Sequence, residues 1–179
     1  MAGTPRRSDR FQASASAPVM AAVLAGLTVL SCLEPHSVRA AEKARVATGP
    51  ELIREVNHRQ TELRRMGVAM RVIGRFLKGE GANVGDVGAS AEVIRAIAGE
   101  LSHELFPEGT AIGVGRSTAR PEIWQEWDIF RERARALETA ATRLIAASAT
   151  GNVEAVREPI VAVGQACGAC HELFRRKLP

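Results

Sequence analysis

Residues 153–174, VEAVREPIVAVGQACGACHELF, are the part of the chain that decides its fold. Apolar residues return here at steps of three and four, the spacing that brings side chains to one face of an α-helix. The members of this stripe are Val153, Val156, Ile160, Val163, Cys167, Cys170 and Phe174. Pro159 is the exception, and it predicts either a kink or the place where the helix truly starts. The stretch therefore predicts a helix whose apolar seam carries two cysteines.

The same alternation recurs in three earlier segments, residues 52–77, 87–105 and 123–144. The third stripe fades where the next position in phase is the polar Ser148. An average of 3.5 residues per turn is typical of helices packed side by side, and no such helix can bury its stripe alone. We therefore predict an all-α fold, a four-helix bundle.

The connections between the four segments differ in length. Short glycine-containing turns separate the first helix from the second and the third from the fourth, while residues 107–120 form a longer loop. This pattern predicts an antiparallel up-down bundle. Asp86 is a candidate N-cap for the second helix, and Pro121 stands where the first turn of a helix tolerates proline.

Residues 167–171 read Cys-Gly-Ala-Cys-His, the C-x-x-C-H pattern of covalent haem c attachment. On a helix, Cys167, Cys170 and His171 occupy positions i, i+3 and i+4 and share one face. Two thiols can then add to the two vinyl groups of one porphyrin, while the imidazole reaches the iron from the proximal side. The motif predicts one covalent haem c, inserted into the bundle core with His171 as its iron ligand.

Three other uses of such a motif are less consistent with this sequence. A disulfide-exchange C-x-x-C is expected where a strand leads into a helix, whereas this one lies near the end of a long helix. A zinc site needs four ligands, and no second cysteine pair is present. A structural disulfide closing so small a loop would stabilise the fold only weakly.

Residues 1–40 have the composition of a secretory signal peptide. A basic start precedes an apolar run at residues 19–33 and a small-residue pattern ending at Ala40, after which we expect cleavage. The remaining domain, residues 41–179, would then function in the periplasm. A membrane anchor and a lipid on Cys32 are the alternatives, but the apolar run is short for a span of about 20 residues.

Bulk composition excludes one class of partner. Lys and Arg number 24 against 20 Asp and Glu, a net charge of +4, and aromatic residues make up 4% with no tyrosine. Such a small excess of charge and so few stacking platforms argue against binding to nucleic acid.

The chain resembles the class II cytochromes c, the cytochrome c′ family, over about residues 49–178. The resemblance is carried by the C-terminal C-x-x-C-H motif, Arg120-Pro121-Glu122-Ile123-Trp124, Leu105-Phe106-Pro107, and Arg59-Gln60 followed by Leu63 and Met66. It implies an antiparallel four-helix bundle carrying haem c, frequently a homodimer through its first two helices.

The resemblance also implies one of two arrangements on the distal side of the iron. Some members carry a methionine four residues after the first-helix arginine as sixth ligand, and they are low-spin electron carriers. Others have an apolar residue there, which leaves the iron five-coordinate and open only to small gases. Leu63 stands at this place, so the match is to the five-coordinate kind. A shift of one helical turn would instead bring Met66 to the iron.

Arg59 is a charge inside an apolar stripe, where an unpaired guanidinium would be costly. A haem propionate would satisfy it through a bidentate pair. Alternatively, Arg59 lies at the end of the bundle and reaches water.

We expect Trp124, Trp127, Phe130 and Phe174 to wall the haem pocket or pack the core. His58 and His103 are expected to face water, which argues against a second histidine ligand.

Electron transfer is the leading function that these features predict, with periplasmic or membrane redox proteins as partners. The rival is capture of nitric oxide or carbon monoxide, favoured by the apolar Leu63, and a weaker third reading is a structural subunit of a larger redox complex. No acid–base or nucleophile constellation is evident, so we do not expect an enzyme.

The basic run at residues 175–177 is interpreted as a solvated helix end.

Overall fold

A computed structural model describes residues 49–177, and helices account for most of them. The elements in chain order are α1 (Gly49–Lys78), α2 (Val84–Leu101), α3 (Glu122–Gln125), α4 (Trp127–Ser148) and α5 (Arg157–Phe174). The four long helices form the bundle that the seams predicted, and the short α3 precedes the third of them. Between residues 49 and 177, no helix is both long and apolar enough to cross a membrane. The predicted signal peptide and Cys32 lie outside the described residues.

The long helices pack in chain order, α1 on α2, α2 on α4 and α4 on α5. Gly88, near the start of α2, meets Ser148 at the end of α4, so these two helices run antiparallel. Phe130, near the start of α4, stacks edge-on against Phe174 at the end of α5, so that pair is antiparallel too. Arg59, in the first half of α1, donates to the carbonyl of Leu105 just beyond the end of α2, so the first pair is antiparallel as well. The up-down order is therefore confirmed, and the core lies where the four seams meet.

The start of α2 differs from the prediction. Asn83, not Asp86, is the N-cap: its Oδ1 accepts from the backbone N–H of Asp86 at 3.1 Å. The Asp86 carboxylate reaches back to the N–H of Asn83 at 2.9 Å, which completes a capping box. Asp86 therefore acts three residues into the helix, where its charge also favours the helix N-terminus.

Two further helix boundaries differ from those that the apolar stripes predicted. The third predicted helix is interrupted at Glu126, whose φ of −117° and ψ of 43° separate α3 from α4. The fourth begins at Arg157, so Pro159 lies in its first turn, where proline is tolerated. Val153 therefore precedes the helix and is 46% exposed, and its assignment to the seam was wrong.

Ser148 was predicted to end the apolar stripe of α4, yet it is buried against α2. Its hydroxyl donates to the carbonyl of Leu144 at 2.7 Å, which satisfies the polar group within the helix. A Cβ added at Gly88 would lie 3.1 Å from the Cβ of Ser148. Two small residues thus allow the close approach of α2 and α4.

We expect Gly88→Val to lower the free energy of unfolding by about 1–3 kcal/mol, because the extra methyl groups overpack this crossing. Urea unfolding of the haem-loaded protein would measure the change. Gly99→Val on the same helix is the matched control, since the nearest atom to its added Cβ is the mobile end of Glu138 at 3.9 Å. Equal stability of the two variants would contradict this account of the contact.

Candidate functional site

Cys167, Cys170 and His171 lie in the last two turns of α5. Both cysteines are half-buried, carry free thiols and pack against the hydrophobic core, whereas His171 is exposed. Their helical register places all three side chains on one face, as the sequence predicted. A planar group attached to both sulfurs would therefore have the core on one side and the imidazole beside it.

Burial changes the acidity of these groups. It raises the pKa of Cys170 to about 11, with the neighbouring Cys167 adding to the effect and the charge of Arg133 opposing it. Burial also raises the pKa of Cys167. Although the residue as a whole is exposed, partial desolvation of the His171 imidazole lowers its pKa, and the positive charge of Arg175 lowers it further. Both effects favour the neutral imidazole. A neutral imidazole has the free electron pair that an iron ligand needs.

These observations bear on the rival uses of the motif. Thiols that perform disulfide exchange have a lowered pKa, the opposite of what burial does here. From residue 49 to residue 177, no group of three His, Cys, Asp or Glu side chains is arranged to hold a metal ion. The surroundings therefore fit thioether attachment of a haem better than redox or zinc chemistry.

Arg59 is 3% exposed, so the alternative that it reaches water is wrong. One terminal nitrogen donates to the carbonyl of Leu105 at 3.3 Å and to Oγ1 of Thr110 at 2.7 Å. The other donates to the carbonyl of Thr110 at 2.9 Å and to Oγ of Ser117 at 3.0 Å. The guanidinium also lies 4.5 Å from the ring centroid of Phe106, a cation–π contact.

The loop after α2 thus closes around a charge on α1. Burial lowers the pKa of Arg59 to about 10, which leaves it positive at neutral pH. Four of its five N–H donors bind neutral acceptors of the protein itself. The burial of Arg59 therefore does not depend on a haem propionate, and the predicted propionate contact stays a prediction.

Leu63 and Met66 occupy the next turns of α1. Met66 is 8% exposed and belongs to the hydrophobic core, whereas Leu63 is half-buried and packs against that core from its edge. The cysteines of α5 contact the same core, although α1 and α5 make little direct contact within the described residues. Leu63 is therefore the more accessible of the two, and the sixth-ligand question stays open.

Aromatic residues line the end of the bundle near His171. Phe130 contacts the rings of Phe106, Trp127 and Phe174, with centroid distances of 4.8, 5.4 and 5.4 Å. Trp124 is half-buried beside them, and its indole N–H donates to the carbonyl of Phe106 at 3.0 Å. These rings lie in or against the hydrophobic core, which is one of the two roles the sequence predicted for them. We call this group of rings the aromatic wall.

The structure confirms the predicted exposure of two histidines and corrects the prediction for the basic run at residues 175–177. His58 and His103 are exposed, as predicted. The basic run was expected to end the helix, but α5 stops at Phe174 and Arg175 is extended. Arg175 pairs with Ala119 in an isolated β-bridge, and the N–H of Arg176 donates to the carbonyl of Thr118 at 2.9 Å. Backbone hydrogen bonds thus tie the run to the long loop.

Comparison with known proteins agrees with this geometry. Residues 54–175 match the family model described as cytochrome c′. The chain is 34% identical to cytochrome c′ from Allochromatium vinosum over 161 residues, which are 89% of this chain and 98% of that protein. It is 37% identical to cytochrome c-554 from Cereibacter sphaeroides over 91 residues, 50% of this chain. That second match spans 59% of cytochrome c-554, less than two thirds of its length.

Solved structures show the same architecture. A cytochrome c′ described as having an unusual ligand-controlled dimer dissociation is 32% identical and superposes with a TM-score of 0.63 over 70% of this chain and 97% of that one. A nitric oxide complex of a leucine-to-alanine mutant of cytochrome c′ from Alcaligenes xylosoxidans is 28% identical. Its TM-score is 0.60, over 69% of this chain and 94% of that one.

Proposed function

The chain belongs to the cytochrome c′ family, whose members carry covalently bound haem c, and from that premise we propose that it transfers single electrons in the periplasm. The observation that carries this proposal is the C-x-x-C-H motif on α5, with both cysteines half-buried on the core side of the helix. When bound, haem c supplies an iron that alternates between two oxidation states.

In this proposal the residues of the chain hold and tune that iron. Cys167 and Cys170 fix the ring through thioether bonds, and His171 ligates the metal with a neutral imidazole. The hydrophobic core and the aromatic wall keep water away from the ring, and such burial is one of the protein's means of setting the reduction potential. We assign no acid–base chemistry to these groups and propose that the protein is not an enzyme.

Gas binding is the second candidate function, and Leu63 favours it. A hydrocarbon side chain on the distal side cannot ligate iron, but it leaves room for a diatomic molecule. A relative from Alcaligenes xylosoxidans has been solved as a nitric oxide complex. By analogy, we propose nitric oxide or carbon monoxide as a ligand of the ferrous protein, in addition to electron transfer.

Periplasmic or membrane redox proteins are the proposed partners, together with a second copy of the chain. Val68 on α1 is 50% exposed, so a second copy of the chain that docks on this helix would bury apolar surface there. One relative is described as a dimer whose dissociation depends on a ligand. These observations support a homodimer that uses α1.

The visible spectrum of the haem-loaded protein, with and without carbon monoxide, separates the two functions. A high-spin spectrum with ready carbon monoxide binding would support an open iron beneath Leu63 and a role in gas capture. A low-spin spectrum with a methionine–iron charge-transfer band would mean a dedicated electron carrier and would exclude the open site. Absence of any haem absorbance after expression with a haem c maturation system would overturn both proposals.

We expect Leu63→Met to lower carbon monoxide affinity at least about tenfold, because the new thioether would occupy the sixth position and must be displaced. Stopped-flow mixing and equilibrium titration of the ferrous protein measure the change. Met66→Leu is the control, and it should leave the spectrum unaltered if Met66 serves only the core. A spectrum that changes in Met66→Leu instead would assign the distal ligand to Met66.

A further inference from the structure

Arg133 is a half-buried cation to which the proposed function assigns no role. It lies on α4 between the core residues Phe130 and Leu137, and its side chain is half-buried. Its Nε atom is buried and has no hydrogen-bond partner. A buried donor of a charged group without an acceptor destabilises the fold, so a bound acceptor at this position would be favourable.

The surroundings place this donor beside the cysteine motif. α4 packs directly on α5, and the two helices run antiparallel with Phe130 against Phe174. Arg133, three residues after Phe130, therefore lies level with Cys170, four residues before Phe174. Arg59, the other buried cation of the site, already donates four N–H groups to the long loop. No carboxylate of the described residues forms an ion pair with Arg133. Of these two arginines, Arg133 is the one whose buried N–H lacks an acceptor.

We propose that Arg133 is a haem-positioning residue that donates its Nε–H to a propionate of the haem attached at Cys167 and Cys170. The inference rests on the proposed function, because it requires the haem to be there. A propionate is the peripheral acceptor that a c-type haem offers, and a guanidinium–carboxylate pair is strong where water is excluded. The pair would fix the ring against α4 and place a positive charge near the iron.

Two measurements on the haem-loaded protein test this role, the midpoint potential and the propionate bending band in the resonance Raman spectrum. Arg133→Gln should lower the potential, because removal of a nearby positive charge stabilises the ferric state. It should also shift the propionate band. Arg133→Lys should keep most of the potential yet still shift the band, because lysine retains the charge and lacks the Nε donor.

Arg135→Gln is the matched control, since Arg135 is an exposed residue of the same helix, and it should change neither reading. An unchanged band in Arg133→Lys overturns the proposal, even if Arg133→Gln does not accumulate as a folded protein. An unchanged potential and band in Arg133→Gln overturns it as well. Failure of the wild-type chain to bind haem would instead count against the proposed function itself.

Discussion

The double substitution Cys167→Ala with Cys170→Ala should abolish covalently bound haem. Both thiols would be gone, and the imidazole of His171 alone forms a bond that denaturation breaks. Haem staining on a denaturing gel after expression with a maturation system measures the loss directly, and we expect no signal at the position of the chain.

Cys32→Ala is the control for this experiment, because the third cysteine belongs to the predicted signal peptide. It should leave the haem-stained band at full strength. His171→Ala gives a second comparison, since it removes the predicted iron ligand while both thioether positions remain. Haem staining that persists in the double alanine variant would refute the attachment site.

Arg59→Met should lower the free energy of unfolding by about 3 kcal/mol or more. The substitution removes all four hydrogen bonds of the guanidinium and leaves the carbonyl of Leu105 without this donor. The carbonyl of Thr110 keeps the hydroxyl of Ser117 as a donor, and that hydroxyl keeps the N–H of Ala119. Hydrogen bonds to a charged group are worth roughly 1.5–3 kcal/mol each, and buried acceptors left without a donor add to the loss. Denaturant unfolding of the haem-loaded protein, followed by circular dichroism, is the measurement.

Arg64→Met provides the comparison on the same helix, because Arg64 is exposed and its loss should cost little. Arg59→Lys should fall between the two, since lysine keeps a charge but cannot span the acceptors that the planar guanidinium reaches. If Arg59→Met proved as stable as Arg64→Met, the loop would not depend on this contact.

The sequence contained enough to predict the bundle and the proximal part of the site. Periodic apolar residues identify helices because burial repeats with the helical turn, and the spacing of Cys167, Cys170 and His171 is meaningful for the same reason. The helix interruption at Glu126 and the burial of Ser148 do not follow from any such periodic pattern. A small polar residue is readily buried when its partner is glycine, and that partner lies 60 positions away in the chain.

The contacts of the Arg59 and Arg133 side chains could not be predicted from the sequence either. Thr110 and Ser117 lie in a loop rich in glycine, where no periodicity indicates which side chains turn inward. Arg133 lies next to a seam position, and nothing in the sequence distinguishes it from the other arginines of α4. Only the structure shows that its Nε atom is buried. The distal residues Leu63 and Met66 were assigned through the family resemblance, since spacing alone does not distinguish a ligand from a packing residue.

The loop that encloses Arg59 also bears on the order in which the chain assembles. Its contacts join residues 51 and 58 positions apart, whereas the helices themselves form from neighbours along the chain. The same loop binds the final residues through the hydrogen bonds at Phe174 and Arg176. Contacts of this kind are made only after the intervening chain has been ordered, because loop closure costs entropy first. We therefore expect the end of the bundle that carries the cysteine motif to close last during folding, which would leave the motif accessible until the helices have formed.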